Sequence, residues 1–227
     1  MNLGKYVTGG SAILVLAAIF LTGCASQGPA VRLHGDLSSV EKIAILPFQN
    51  MSALHGTNTT VISTISGRTF ITGPVADGAD LLLNNLLITH VRRDTTFQTV
   101  PSRNAAAVLD ELEKRQGHTR NRRQLLSQTG QQLGADAIMI GHLYCFRERV
   151  GQNVAAESGA SAAFDIYLID CRQDRLLWNA FYNYSQQALS DNLYDIRNFM
   201  RRGGRWVTAE ELATAAMDQI FEDFPQP

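Results

Sequence analysis

The feature of this sequence that most limits its fold is an apolar segment at residues 41–48, which reads Glu-Lys-Ile-Ala-Ile-Leu-Pro-Phe. Its centre is continuously apolar, as is typical of a strand that other elements cover on both faces. Pro47 has no backbone N–H to donate, so we expect the strand to end there. A strand of this kind predicts a layered α/β domain.

Further strand and helix patterns follow this segment. Apolar residues at helical spacing predict helices at residues 77–93, 102–115, 122–133, 190–202 and 208–222, and apolar runs predict strands at residues 97–100, 137–140, 164–169 and 176–184. Residues 172–174 are short enough to make the last two strands an antiparallel hairpin. A second, short hairpin is expected within residues 49–75, with Val61 and Phe70 in its arms. Together the patterns predict a single domain with a mixed sheet of about five strands and packed helices.

The N-terminal segment has the composition of a secretory signal. Lys5 precedes an apolar stretch at residues 12–21, and small residues lead to Cys24. The stretch is about half as long as a helix that crosses a bilayer, so we expect export and not a spanning anchor. Residues 24–40 contain Gly28, Pro29 and Gly35 without hydrophobic periodicity, which predicts a flexible tether before a domain at residues 41–224.

Leu21-Thr22-Gly23-Cys24 resembles the lipobox of bacterial lipoproteins. The resemblance implies a signal peptide at residues 1–23 and a mature chain that begins at Cys24, with diacylglycerol on its sulfur and an acyl chain such as palmitate on its nitrogen. Several acyl chains anchor a protein firmly in a membrane. Ala25 stands where an inner-membrane retention signal usually has Asp, so we expect the periplasmic face of the outer membrane. The alternative is a plain secretory signal with an incidental cysteine.

The distribution of charge argues against nucleic acid as a partner and draws attention to two segments of the chain. Without Lys5 the chain has 19 basic and 21 acidic side chains, which does not favour nucleic acid. A basic cluster at a predicted helix junction suits anionic lipid headgroups or acidic partners, although a solvated linker explains it too. A second group, made of arginines and one tryptophan, flanks two glycines and predicts a partner-binding surface, because Arg and Trp are common in interface hot spots. Alternatively, the tryptophan is packed in the core between the last two helices. The first group is Lys114, Arg115, His118, Arg120, Arg122 and Arg123, and the second is Arg197, Arg201, Arg202, Arg205 and Trp206.

The sequence contains no catalytic, cofactor-binding or metal-binding motif. The histidines, His34, His55, His90, His118 and His142, are scattered, and no metal-ligand spacing, nucleophile elbow or phosphate loop occurs. We therefore expect no enzyme activity, no metal and no cofactor. His142, after Gly141 at a predicted strand end, is either a functional base or, as we favour, a structural histidine.

Other polar and sulfur-containing residues have simpler explanations. Asp165, Asp170, Glu210 and Glu211 are explained by solvated faces and helix caps. The periplasm would permit a disulfide between Cys145 and Cys171, but the expected strand register favours two buried free thiols.

Three motifs carry a further family resemblance. Residues 43–52 resemble the opening strand of TolB N-terminal-like domains, and residues 133–143 resemble the Gly-Ala-Asp turn between a helix and a strand in the same group. Residues 164–178 are similar to the paired strands of CsgG-like lipoproteins. LpoB-like proteins belong to the same group. The resemblance implies a periplasmic α/β domain that binds other cell-envelope proteins. The alternatives are a CsgG-like secretion channel subunit, for which the segment at residues 151–160 is too short, and an LpoB-like activator of a peptidoglycan synthase.

Overall fold

A computed structural model describes residues 28–116, 121–151, 156–186, 207–222 and 224–225. The strands are β1 (Ala30–Leu33), β2 (Lys42–Ile45), β3 (Gln49–Asn50), β4 (Thr60–Ile62), β5 (Thr69–Ile71), β6 (Gln98–Val100), β7 (Ala137–Arg147), β8 (Val150–Gly151), β9 (Ala156–Ser158), β10 (Ser161–Asp170) and β11 (Leu176–Ser185). The helices are α1 (Met51–His55), α2 (Ala79–Asp94), α3 (Ser102–Gln116), α4 (Arg122–Gln132) and α5 (Ala209–Glu222).

Seven strands form one mixed sheet in the order β1-β11-β10-β7-β2-β6, and β3 also pairs with β7. The four strands from β1 to β7 in this order are antiparallel neighbours, whereas β2 runs parallel to both β6 and β7. The predicted mixed α/β class and single domain are confirmed. The sheet has two strands more than the patterns indicated, because β1 and β3 are too short to show a period.

The first extra strand lies in the predicted tether. Residues 30–33 pair antiparallel with β11, and Leu37 and Val40 are buried beside the sheet. The ordered domain therefore begins before residue 41. An edge strand of four residues has a neighbour on one side only, so it carries little of the apolar pattern that marks a central strand. Residues 24–27 lie outside the described part of the chain.

Helices cover both faces of the sheet. On the first face, α2 and α5 bury Leu83, Leu87 and Met217 against Phe164 and Trp178. On the second face, α3 and α4 pack apolar side chains that include Leu109 and Leu126 against Ile138 and Ile140. Residues 137–146 of β7 are accordingly all buried, as expected for a strand between two layers of helix.

Two helix ends are closed by recognised capping arrangements. Gly134 has a φ of 62° just after α4, a backbone conformation that suits glycine. At the start of α5, the Thr208 backbone N–H donates to Glu211 and the Glu211 N–H donates to the Thr208 hydroxyl, at 2.9 and 3.1 Å. This reciprocal pair is a capping box. The predicted helix at residues 190–202 lies outside the described residues.

Strand β7 is longer than the sequence indicated. Its predicted end near Gly141 is wrong, because the strand continues to Arg147. Gly141 lies inside the strand where the Phe48 ring approaches so closely that an added Cβ would overlap it. A register shift opposite Ala163 and Phe164 then places both Tyr144 and Cys145 on the second face of the sheet. Among the described helices, none is long and apolar enough to cross a membrane.

Candidate functional site

The β4–β5 hairpin covers the second face of the sheet and positions the site. Its inward residues, Val61 and Phe70, are buried, and the Phe70 ring stacks on Tyr144 with centroids 3.9 Å apart. Ile62 and Ile71 point outward and are exposed. The predicted hairpin is thus confirmed, and its connection, residues 63–68, is called the hairpin loop below.

A buried polar network lies beneath this hairpin. Asp165 is only 1% exposed, and its carboxylate contacts His142 Nδ1 at 3.0 Å, the Tyr144 hydroxyl at 2.9 Å and the Tyr167 hydroxyl at 2.5 Å. The expectation that Asp165 faces solvent is wrong, because the hairpin covers this part of β10. His142 is also buried, inside β7 and not at a strand end.

The network continues from the sheet into the hairpin loop. The Tyr167 hydroxyl lies 2.8 Å from the Ser63 Oγ and 2.7 Å from the Ser66 Oγ. Since Tyr167 gives its single proton to Asp165, both serines donate to it. Burial, reinforced by the charge of Asp165, raises the pKa of Tyr144 and of Tyr167 well above the ordinary value, so both hydroxyls remain protonated donors.

A cleft of about 370 Å³ opens beside the hairpin loop, within the range of about 300–1,000 Å³ that is common for ligand sites. Its walls are the loop, the edge of the sheet at β1 and β11, and the start of α4. Four of its lining residues are basic, namely Arg32, His34, Arg68 and Arg123, and no carboxylate lines it. We call this site the arginine cleft.

The three arginines reach the arginine cleft from three different elements. The guanidinium carbon of Arg68 lies over the Phe181 ring, 3.3 Å from the ring centroid, a cation–π contact. Arg123 donates from Nη2 to the backbone oxygen of Ile65 at 3.2 Å, while its buried Nε has no hydrogen-bond partner. Arg32 is exposed on β1, directly opposite Asn179 on β11.

The three arginines of the cleft differ from most others in the structure. Within the described residues, none of the three has a carboxylate within 4.0 Å, whereas five arginines elsewhere form ion pairs. Those five pairs are Arg93–Asp94, Arg115–Glu111, Arg122–Glu113, Arg172–Asp136 and Arg175–Asp170. The arginine cleft therefore concentrates positive charge that the neighbouring chain does not neutralise.

The predicted basic cluster separates into different environments. Lys114 pairs with Asp110 at 2.5 Å, and Arg115 and Arg122 also bind carboxylates, so these three lie on a helix surface with satisfied charges. Of the four described members of the cluster, Arg123 is the one that lines the cleft. His118 and Arg120 lie outside the described residues.

The other predicted site residues also fall outside the described part of the chain. They are the lipid attachment residue Cys24 and the partner-binding group Arg197, Arg201, Arg202, Arg205 and Trp206. The patterns missed Arg32, His34 and Arg68 as site residues. No local signal marks them, because the pairing of β1 with β11 and the position of the hairpin bring them together.

The two remaining cysteines are free and buried in separate places. Cys145 packs under the hairpin with Phe70 and Ala163, while Cys171 lies against Gly130 of α4. Burial, with smaller contributions from nearby aspartates, raises the pKa of the Cys171 thiol to about 12. Among the described side chains, no group of His, Cys, Asp and Glu has an arrangement that could hold a metal ion.

No protein-family model and no curated protein matches this sequence. Several solved structures are similar in fold. A PelC dodecamer from Paraburkholderia phytofirmans is 12% identical with a TM-score of 0.45, and the match covers 85% of this chain and 94% of that one. The LpoB C-terminal domain from Salmonella enterica is 13% identical with a TM-score of 0.36, covering 67% and 88%. Lipoprotein GNA1162 from Neisseria meningitidis is 16% identical with a TM-score of 0.36, covering 71% and 99%. These values are too low to transfer a function.

Proposed function

We propose that this protein is a non-enzymatic lipoprotein of the bacterial cell envelope whose α/β domain binds other envelope proteins in an assembly or regulatory role. Acylated Cys24 would hold it at the periplasmic face of the outer membrane. The signal-like segment and the lipobox resemblance support the anchor. The covered sheet supports a rigid domain that presents a fixed surface.

One contrast within the described residues carries this proposal: the Asp165–His142 pair is sealed, whereas the open cleft contains three arginines and a histidine, His34, that bonds to Asn179. Asp165 and His142 are bonded to each other beneath the hairpin, with side chains only 1% and 6% exposed. A general base must reach the proton that it removes, and this pair has little access to a substrate. The arginine cleft is open, but a guanidinium group stays charged at neutral pH and acts mainly by hydrogen bonding and charge.

The channel alternative lacks comparable support. A transmembrane strand needs about nine to eleven residues. Strands β4 and β5 have three residues each, and the central residue of each is buried against the sheet. For the alternative of a synthase activator, no described residue specifies that partner, so it is one outcome of the capture experiment below.

The test is capture of partners from intact membranes. The full-length lipoprotein, tagged at its C-terminus, would be crosslinked briefly in cells, purified and analysed by mass spectrometry. Cys24→Ser and an unrelated tagged outer-membrane lipoprotein serve as controls. We expect one or a few envelope proteins to be enriched with the wild type over both controls. No enrichment, or turnover of a substrate by the purified protein in a broad activity screen, would contradict the proposal.

A further inference from the structure

We propose that the arginine cleft binds the carboxylate groups of an acidic segment in a partner protein. The existence of such a partner rests on the function proposed above, but the chemistry of the cleft is argued from its own residues. The occupant would present Asp or Glu side chains to Arg32, Arg68 and Arg123.

The charge of the arginine cleft calls for an anion. Three guanidinium groups line one opening, and within the described residues none of them has an ion-pair partner. Of the nine other arginines in the described ranges, at least five pair with a carboxylate of the same chain. Unpaired positive charges that share a concave site raise the local potential and attract an anionic ligand. A guanidinium fork can hold a carboxylate through two parallel hydrogen bonds.

A buried amide adds a directional donor to this site. Asn179 is 5% exposed and lines the cleft. Its Oδ1 accepts a 2.7 Å hydrogen bond from His34 Nε2, which fixes the orientation of the amide. The Asn179 amide nitrogen has no hydrogen-bond partner among the described residues, so it is free to donate to a ligand oxygen. A nearly buried side chain held in this way is preorganised for binding.

The shape of the cleft favours a protein side chain over a membrane surface. Arg123 is partly buried with an enclosed Nε, and the Arg68 guanidinium is held over the Phe181 ring, so neither projects freely toward a planar layer of headgroups. Ile65 and Leu176 provide apolar walls that can contact the methylene groups of a Glu side chain. A side chain can enter such a recess while its backbone stays outside.

The first experiment measures binding of a defined probe by fluorescence anisotropy. The mature, acylated full chain in detergent would be titrated into a labelled decapeptide of alternating Glu and Gly, and into the same peptide with Gln for Glu. We expect the Glu peptide to bind at least about tenfold more tightly, because charge-assisted hydrogen bonds are lost with Gln. The advantage should shrink as salt is raised. Equal binding of the two peptides would overturn the proposal.

Matched variants assign the binding to the arginine cleft. Arg32→Gln with Arg68→Gln removes two charges from the cleft and should weaken Glu-peptide binding by about tenfold or more. Arg92→Gln with Arg103→Gln removes two charges from exposed helix positions and should leave binding unchanged. Arg68 packs on Phe181, so the double variant could lose its fold. In that case the single change Arg32→Gln, at an exposed residue, is measured in its place. Its melting temperature should equal that of the wild type, and its binding of the Glu peptide should still be weaker. Equal losses in the two double variants would rule out the cleft.

Two further arms separate the possible sources of negative charge. Vesicles of phosphatidylglycerol, or inorganic phosphate as a competitor, test lipid phosphate. Cleft-dependent binding of the vesicles without binding of the Glu peptide would overturn the proposal in favour of a lipid headgroup. If the double variant of the cleft still captures the wild-type partner from membranes, this inference fails while the interaction function stands. Cleft-dependent binding of the Glu peptide, with no partner enriched from membranes, supports the cleft and contradicts the function.

Discussion

The hydroxyl group of Tyr167 donates a 2.5 Å hydrogen bond to the carboxylate of Asp165, two residues earlier on β10. The same hydroxyl accepts hydrogen bonds from Ser63 and Ser66 of the hairpin loop. Ser66 also lines the arginine cleft. The carboxylate at the centre of the sheet is therefore connected to the wall of the open site through a single tyrosine.

Removal of the buried carboxylate should strongly destabilise the domain. Asp165→Ala leaves His142 and the hydroxyls of Tyr144 and Tyr167 without their common partner. We expect the free energy of unfolding to fall by about 3–5 kcal/mol, as for loss of one member of a buried polar pair. Urea denaturation measures the change. Asp110→Asn, an exposed residue in an ion pair with Lys114, is the control and should cost less than about 1 kcal/mol. Similar losses for both variants would refute the role of the network.

Tyr167→Phe should loosen the hairpin loop specifically. The change removes the hydroxyl that binds Ser63 and Ser66, so we expect faster amide hydrogen exchange at residues 63–68 and a loss of about 1–2 kcal/mol. Thr129→Val is the control, because its buried hydroxyl donates to the Leu125 backbone oxygen within α4, at 2.9 Å, and not to the hairpin loop. It should reduce stability while leaving exchange in the loop less affected. The explanation fails if both variants release the loop to the same extent.

Gly130 and Cys171 should be coupled in stability. A Cβ at residue 130 would overlap the Cys171 Sγ, while the next neighbours, including the Cys171 Cβ, lie at 3.5 Å. Gly130→Ala should therefore cost about 1–3 kcal/mol through overpacking. Adding Cys171→Ala removes the sulfur and should recover part of this loss. A double-mutant cycle measures the coupling, and simple additivity of the two changes would contradict it.

The buried thiol of Cys171 should make the protein less stable at alkaline pH. Its pKa is raised from 9.0 to about 12, so above pH 9 the unfolded chain loses a proton that the folded chain keeps. Stability should then fall with rising pH by about 1.4 kcal/mol per unit from this group alone. Urea titrations between pH 9 and 10 should give a shallower decline for Cys171→Ala than for the wild type. Cys145→Ala should retain the contribution of Cys171; no difference between the two variants would count against this assignment.

Cys24 should determine membrane attachment. We expect mass spectrometry of the mature N-terminus to show an acylated cysteine, because residues 21–24 resemble a lipobox. Cys24→Ser should release the protein from washed membranes, since several acyl chains supply most of the membrane affinity. Cys145→Ser controls for loss of a thiol in general. A wild-type protein that starts at another residue and stays soluble would exclude lipid attachment.

Local patterns in the sequence predicted most of the secondary structure. Apolar periodicity located α2, β7 and β10 because these elements face packed layers, which select the side chains at each position. Glu210 and Glu211 were explained by solvated faces and helix caps, and Glu211 does cap α5 together with Thr208. Strand β1 was missed because a four-residue strand at the edge of a sheet needs fewer apolar side chains than a central strand, so its sequence shows no clear apolar pattern. The true length of β7 was missed because a glycine in an apolar run usually indicates the end of a strand. In the structure, Gly141 lies inside the strand and leaves room for the ring of Phe48.

The sequence by itself determined the α/β class, the cover on both faces of the strand at residues 41–48 and the signal-like composition of the N-terminus, because each depends on residues close together in the chain. Only the tertiary structure decided that Asp165 is buried and that Arg32, Arg68 and Arg123 share one cleft. These three arginines come from an edge strand, a hairpin loop and a helix. Strand register and hairpin docking unite them, and both depend on contacts between residues far apart in sequence, which local periodicity does not encode.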